Sequence, residues 1–189
     1  MIAPVLKHKF TGVEYRKMAE SGILTPSDRV ELIRGEIIEM PPIGTRHAAM
    51  TRRMNRLLTE RLGDRVLLDV QNPIDLDEFS QPQPDLALLR PREDFYVLAH
   101  PQPTDIFLLV EVSNTTIRYD REITIPLYAE RGIIEVWLID IEGEGIEVYR
   151  QPTGKGYRST VQLSRGDRFS MQAFPDIEFA VDEILGSEN

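Results

Sequence analysis

Two carboxylates in this sequence stand where a charge is costly. Glu111 is the single charged residue in Phe107-Leu108-Leu109-Val110-Glu111-Val112-Ser113, a run otherwise suited to the interior of a strand. An ionised group buried there needs a partner. Asp85 opens a second such run, Pro84-Asp85-Leu86-Ala87-Leu88-Leu89. Two adjacent strands that bring these acids to one edge would build an oxygen-rich metal site, with backbone carbonyls close by. The alternative is structural: Asp85 caps a turn and Glu111 pairs with an arginine.

The elements that must position these acids can be read from local patterns. Phe10 to Tyr15 reads as a helix start, with Thr11 and Glu14 spaced as a capping box and Gly22 as the stop. Val30–Ile33 and Glu36–Met40 flank Arg34-Gly35 as a hairpin. From Thr45 to Leu62 the spacing is helical, with Met50, Met54, Leu57 or Leu58, and Leu62 on one stripe. Arg52, Arg53 and Arg56 cover other faces of that helix, either as a phosphate-contacting surface or as a solvated one. His47 lies near its start. Strands are predicted over 66–71, 84–89 and 107–113. A helix follows that ends near Arg131 with Gly132 as its cap, and Pro126 should kink it or sit in its first turn. Strands at 134–140, 146–150 and 157–161, a short one near 169–171 and a helix near 181–185 complete the chain. The expected architecture is a mixed α+β sheet with flanking helices and an antiparallel tail of hairpins.

Bulk properties narrow the function. A chain of 189 residues suits one domain spanning 1–189. It has no cysteine, so disulfides, thiol nucleophiles and cysteine zinc sites are excluded. Met1 to Val5 shows no signal-peptide pattern and no run reaches membrane-spanning length, so a cytoplasmic location is the default expectation, with no membrane partner. A net charge of −9 argues against a protein that coats nucleic acid nonspecifically. Only Lys7, Lys9, Lys17 and Lys155 are lysine among 22 basic residues, and an arginine bias suits phosphate forks and ion pairs.

Several segments occur in a telling order. They are Glu31-Leu32-Ile33-Arg34-Gly35-Glu36-Ile37, Arg46-His47, Pro84-Asp85, Leu109-Val110-Glu111-Val112-Ser113, Tyr119-Asp120-Arg121 running into Leu127-Tyr128-Ala129, and Gly132 to Asp140. Over about residues 10 to 185 this set resembles the Uma-two-type restriction endonucleases of the PD-(D/E)XK nuclease superfamily. The resemblance implies a restriction-endonuclease-like core and a magnesium-dependent DNA endonuclease, with manganese as a substitute metal. Asp85, Glu111 and the backbone carbonyl of Val112 would be the metal ligands. Cutting both strands of duplex DNA is most simply done by a homodimer.

The chain departs from the superfamily triplet, which here ends in Ser113 where lysine is usual. The family's lysine falls on the following helix, in an Asp-Arg-x-x-Lys stretch whose last position is Thr124 in this chain. Arg121 could supply charge one turn earlier but is a poor proton acceptor. Glu31 and His47 also match family positions, as an outer-shell carboxylate and as a phosphate or water contact. Their alternatives are a hairpin ion pair and a helix-start cap. Two rivals to the nuclease stand beside it: a catalytically impaired nucleic-acid-binding or regulatory protein of the same fold, and an acidic protein-interaction domain without metal.

Overall fold

The most apolar runs of the sequence become the centre of a six-stranded sheet. In the computed structural model, residues 6–25 and 27–186 are described; the segment Met1 to Val5, read above for a signal peptide, lies outside them. The sheet holds β3 (Leu67–Val70), β4 (Leu86–Leu89), β5 (Ile106–Ser113), β6 (Glu135–Asp140), β7 (Gly145–Thr153) and β8 (Gly156–Leu163) in that spatial order. Every neighbouring pair is antiparallel except β5 and β6, which are parallel. A parallel pair needs a crossover, and the helical segment from Ile117 to Glu130 provides it.

Helix α2 (Thr45–Leu62) has the bounds its periodicity predicts. Its Met50, Met54, Leu58 and Leu62 pack with Leu86, Leu88, Leu108, Val110 and Trp137 on one face of the sheet. Helix α5 (Val181–Leu185) joins that face, as does a hairpin of β9 (Arg168–Met171) and β10 (Phe174–Ala180), whose Phe169 and Phe179 rings meet Trp137 edge-on. On the opposite face Leu109 and Leu138 pack with Ile125, Leu127 and Tyr128 of helix α4 (Ile125–Glu130).

Strand β10 is not predicted by the sequence pattern. Phe174-Pro175-Asp176 carries two strand breakers, and the structure absorbs them as a register shift between Phe174 and Glu178. The other predicted elements are present. Helix α1 (Gly12–Glu20) opens with the Thr11–Glu14 capping box. Strands β1 (Val30–Ile33) and β2 (Glu36–Glu39) turn through Arg34 and Gly35, with φ of 52° and 82° as a tight hairpin turn requires. Among the described residues no helix is long and apolar enough to cross a membrane.

The crossover contains the less foreseeable feature. A single turn, α3 (Ile117–Tyr119), runs into a π-helical stretch at Asp120–Thr124 and then into α4. Pro126 lies in the first turn of α4. Its ring crowds the carbonyl four residues back and it has no N–H to give, so the widened turn accommodates it. In that turn the Ile125 N–H reaches back to the carbonyl of Asp120.

Candidate active site

Asp85 immediately precedes β4, and the ladder pairs Leu86 with Val110. One step further along that antiparallel register, Asp85 faces Glu111. The two meet through the Asp85 N–H, which donates to Glu111 Oε2 at 3.4 Å. The Val112 N–H donates to Asp85 Oδ2 at 2.9 Å. In a strand the N–H and C=O of one residue point to the same side, so the Val112 carbonyl faces this edge as well.

Hydrogen-bond donors hold both carboxylates. Asp85 Oδ1 accepts from the Gln71 side chain at 3.0 Å, and Oδ2 lies 3.0 Å from His47 Nε2. Gln71 can reach because it leaves β3 with a positive φ of 54°. Glu111 Oε1 accepts from the Tyr128 hydroxyl, and Tyr128 is fully buried. The His47 imidazole is raised above its usual pKa, chiefly by the hydrogen bond to Asp85.

Asp85, Glu111, Val112, His47 and Gln71 form the floor of a cleft of about 1460 Å³. Its walls come from α1, the β1–β2 hairpin with the 40–44 connection, and the segment from Asn114 to Thr124. Glu31 of β1 enters the same space, accepting from the Gln83 N–H at 3.3 Å. Burial, followed by the charges of Asp120 and Asp85, pushes its carboxyl up to about 7. Burial and then Asp85 drive Glu111 well above the usual carboxylate range. Asp120 is raised too, chiefly by burial, although hydroxyls of Ser113, Thr116 and Thr124 donate to it and pull the other way. Four carboxylates thus share one cleft, and among the described residues none of them forms an ion pair with a lysine or arginine.

The remaining nominated residues are divided by the structure. Ser113 is buried beneath the cleft, its hydroxyl 3.1 Å from that of Thr116. Thr124 lines the cleft with its hydroxyl on Asp120. Arg121 does not line it: its guanidinium binds Glu147 and Asp140 near the β6–β7 connection. Arg52, Arg53 and Arg56 are exposed and outside the cleft. Arg53 bonds the Leu185 carbonyl and Arg56 pairs with Glu60. Three members of the arrangement were not singled out for it by sequence: Asp120, Tyr128 and Gln71. Asp120 and Tyr128 sit inside segments that carried the family resemblance, but Gln71 gives no sequence signal beyond ending a strand.

The family model described as “Putative restriction endonuclease”, Uma2, matches residues 13–182. The chain belongs to this family. Among solved structures, the chain is similar to a protein from Anabaena variabilis described as a putative nuclease belonging to DUF820. The TM-score is 0.73 at 16% identity, covering 93% of this chain and 97% of that one. At that identity the likeness establishes the fold, a restriction-endonuclease-like mixed sheet with flanking helices and a C-terminal antiparallel hairpin. No curated protein matches the chain.

Proposed function

We propose that this protein is a magnesium-dependent DNA endonuclease whose metal is held by Asp85, Glu111 and the carbonyl of Val112. The observation that carries the reading is the cluster of Glu31, Asp85, Glu111 and Asp120 in one cleft, where among the described residues no lysine or arginine pairs with them and one imidazole, His47, meets Asp85. Burying several like charges together is unfavourable, and a divalent cation relieves it. Among the described residues no group of three or more His, Asp or Glu side chains is placed to hold a metal ion by itself. Two carboxylates and a carbonyl nevertheless suit magnesium, which prefers oxygen and keeps several waters.

When bound, magnesium would polarise the scissile phosphate and neutralise charge accumulating on it. The chain's own residues do the positioning. His47, Gln71 and the Val112 N–H fix Asp85 from three sides, and Tyr128 fixes Glu111. Glu31, with a carboxyl that exchanges its proton near neutrality, can accept a proton from an attacking water. One observation favours a second reading, a nucleic-acid-binding protein that does not cleave: no lysine lines the cleft, and Thr124 occupies the family's lysine position.

The test is cleavage of supercoiled DNA with magnesium or manganese, alongside calorimetric metal titration of wild type, Asp85→Ala and Glu111→Ala. The wild type is expected to bind metal and cut, and both variants to stay folded and do neither. Metal binding without cutting would favour the second reading. Absence of metal binding in the wild type would remove both the metal site and this function.

A further inference from the structure

Each oxygen of Glu111 faces a different neighbour. Oε1 accepts from the Tyr128 hydroxyl at 2.5 Å, while Oε2 receives only the long 3.4 Å contact from the Asp85 N–H. Oε2 is therefore the oxygen left on the Asp85 side with spare acceptor capacity. Tyr128 has little freedom to do anything else. Its side chain is fully buried among Ile125, Leu127, Leu109 and Leu138, so the ring is fixed by packing and the hydroxyl can reach only what lies in front of it.

From this geometry we infer that Tyr128 is a positioning residue for metal binding: by occupying Oε1 of Glu111 it presents Oε2 to the cation beside Asp85. The inference rests on the metal site proposed above. A carboxylate on a strand end can rotate about its last bond, and without a donor on one oxygen either face would turn to the metal. Supporting partners of this kind typically change metal affinity by about 10- to 100-fold when removed. Tyr128 also lies four residues after Thr124, one turn along the same helical segment, so the crossover contributes a donor to Glu111 from beneath the cleft.

The experiment compares manganese affinity by calorimetry in wild type, Tyr128→Phe and Tyr157→Phe. Phenylalanine keeps the ring and removes only the hydroxyl. Tyr157 is the control: its hydroxyl donates to the backbone carbonyl of Ile133 at 2.7 Å, away from the cleft. Both variants are expected to lose some thermal stability, but only Tyr128→Phe should weaken manganese binding, by about 10- to 100-fold. Equal affinity in folded Tyr128→Phe overturns the inference while leaving the metal site standing. No binding by the wild type overturns the metal site and the inference with it. If Tyr128→Phe does not fold, the double variant Tyr15→Phe/Tyr119→Phe, which removes the two tyrosines that line the cleft, is titrated with magnesium in near-ultraviolet absorption. A saturable tyrosine difference signal with the calorimetric midpoint supports the inference, and a flat trace overturns it.

Discussion

The protein buries glutamates in two ways. At one end of the sheet, Glu135 is wholly buried and accepts from the Arg150 guanidinium, the Trp137 indole and the Gln172 N–H. On β7, Glu147 accepts from Arg121 and Tyr149. In the cleft, Glu111 is part-buried, and its partners are a phenol and a backbone N–H. Glu31 has one backbone N–H among its hydrogen bonds. Where a buried carboxylate is structural, this fold brings an arginine to it. The cleft acids lack that arrangement, and leaving them charged is only affordable if a cation arrives from outside. The contrast distinguishes a site from a set of ion pairs better than any single residue does.

Removing one side of a structural pair is the severest way to probe this contrast. Glu135→Ala strands the Arg150 guanidinium and several other donors, and is expected to cost about 3 to 5 kcal/mol in denaturant unfolding. A loss below about 1 kcal/mol would mean that Glu135 and the cleft acids do not differ in kind. The next probe gives the cleft acids the lysine they lack. Thr124→Lys places an ammonium beside Asp120, and manganese-dependent DNA cleavage is expected to rise by about 10²-fold. Equal rates in a folded, metal-binding variant would show that the missing lysine does not limit the protein.

The third probe is pH. Glu31 has its folded pKa raised from 4.5 to about 7, so the folded state holds that proton more tightly than the unfolded chain. Stability from this group is therefore greatest at low pH and is lost as pH rises from about 4.5 through about 7. Glu111 and Asp120, raised in the same direction, add to the trend. Without divalent metal, Glu31→Gln should remove about 2 kcal/mol of the stability decline between pH 5 and pH 7. Saturating magnesium should flatten the wild-type curve as well. An unchanged pH slope in Glu31→Gln would place that carboxylate with the ordinary surface acids.

Much of this molecule was determined by sequence alone, because its signals are local. The 3.6-residue period bounds α2 at Thr45 and Leu62, the Arg34-Gly35 turn sets the β1–β2 hairpin, and the acids of β4 and β5 stand out against apolar neighbours. Tertiary structure decided which charges meet. Arg121 lies beside Asp120 in sequence, yet it serves Glu147, 26 residues on, because β7 lies next to β6 and within its reach. Asp120 joined the cleft instead, in a π-helical turn that accommodates Pro126 but that Pro126 does not announce. The pairing of Asp85 with Glu111 depends on strand register, where a slip of one residue turns a side chain to the opposite face. A propensity spans a few neighbouring residues, whereas register and ion pairing are settled by the packing of two sheet faces. That is why the sequence identified Asp85, Glu111 and Glu31, and only the assembled fold added Asp120 and showed that, among the described residues, none of the four pairs with a lysine or arginine.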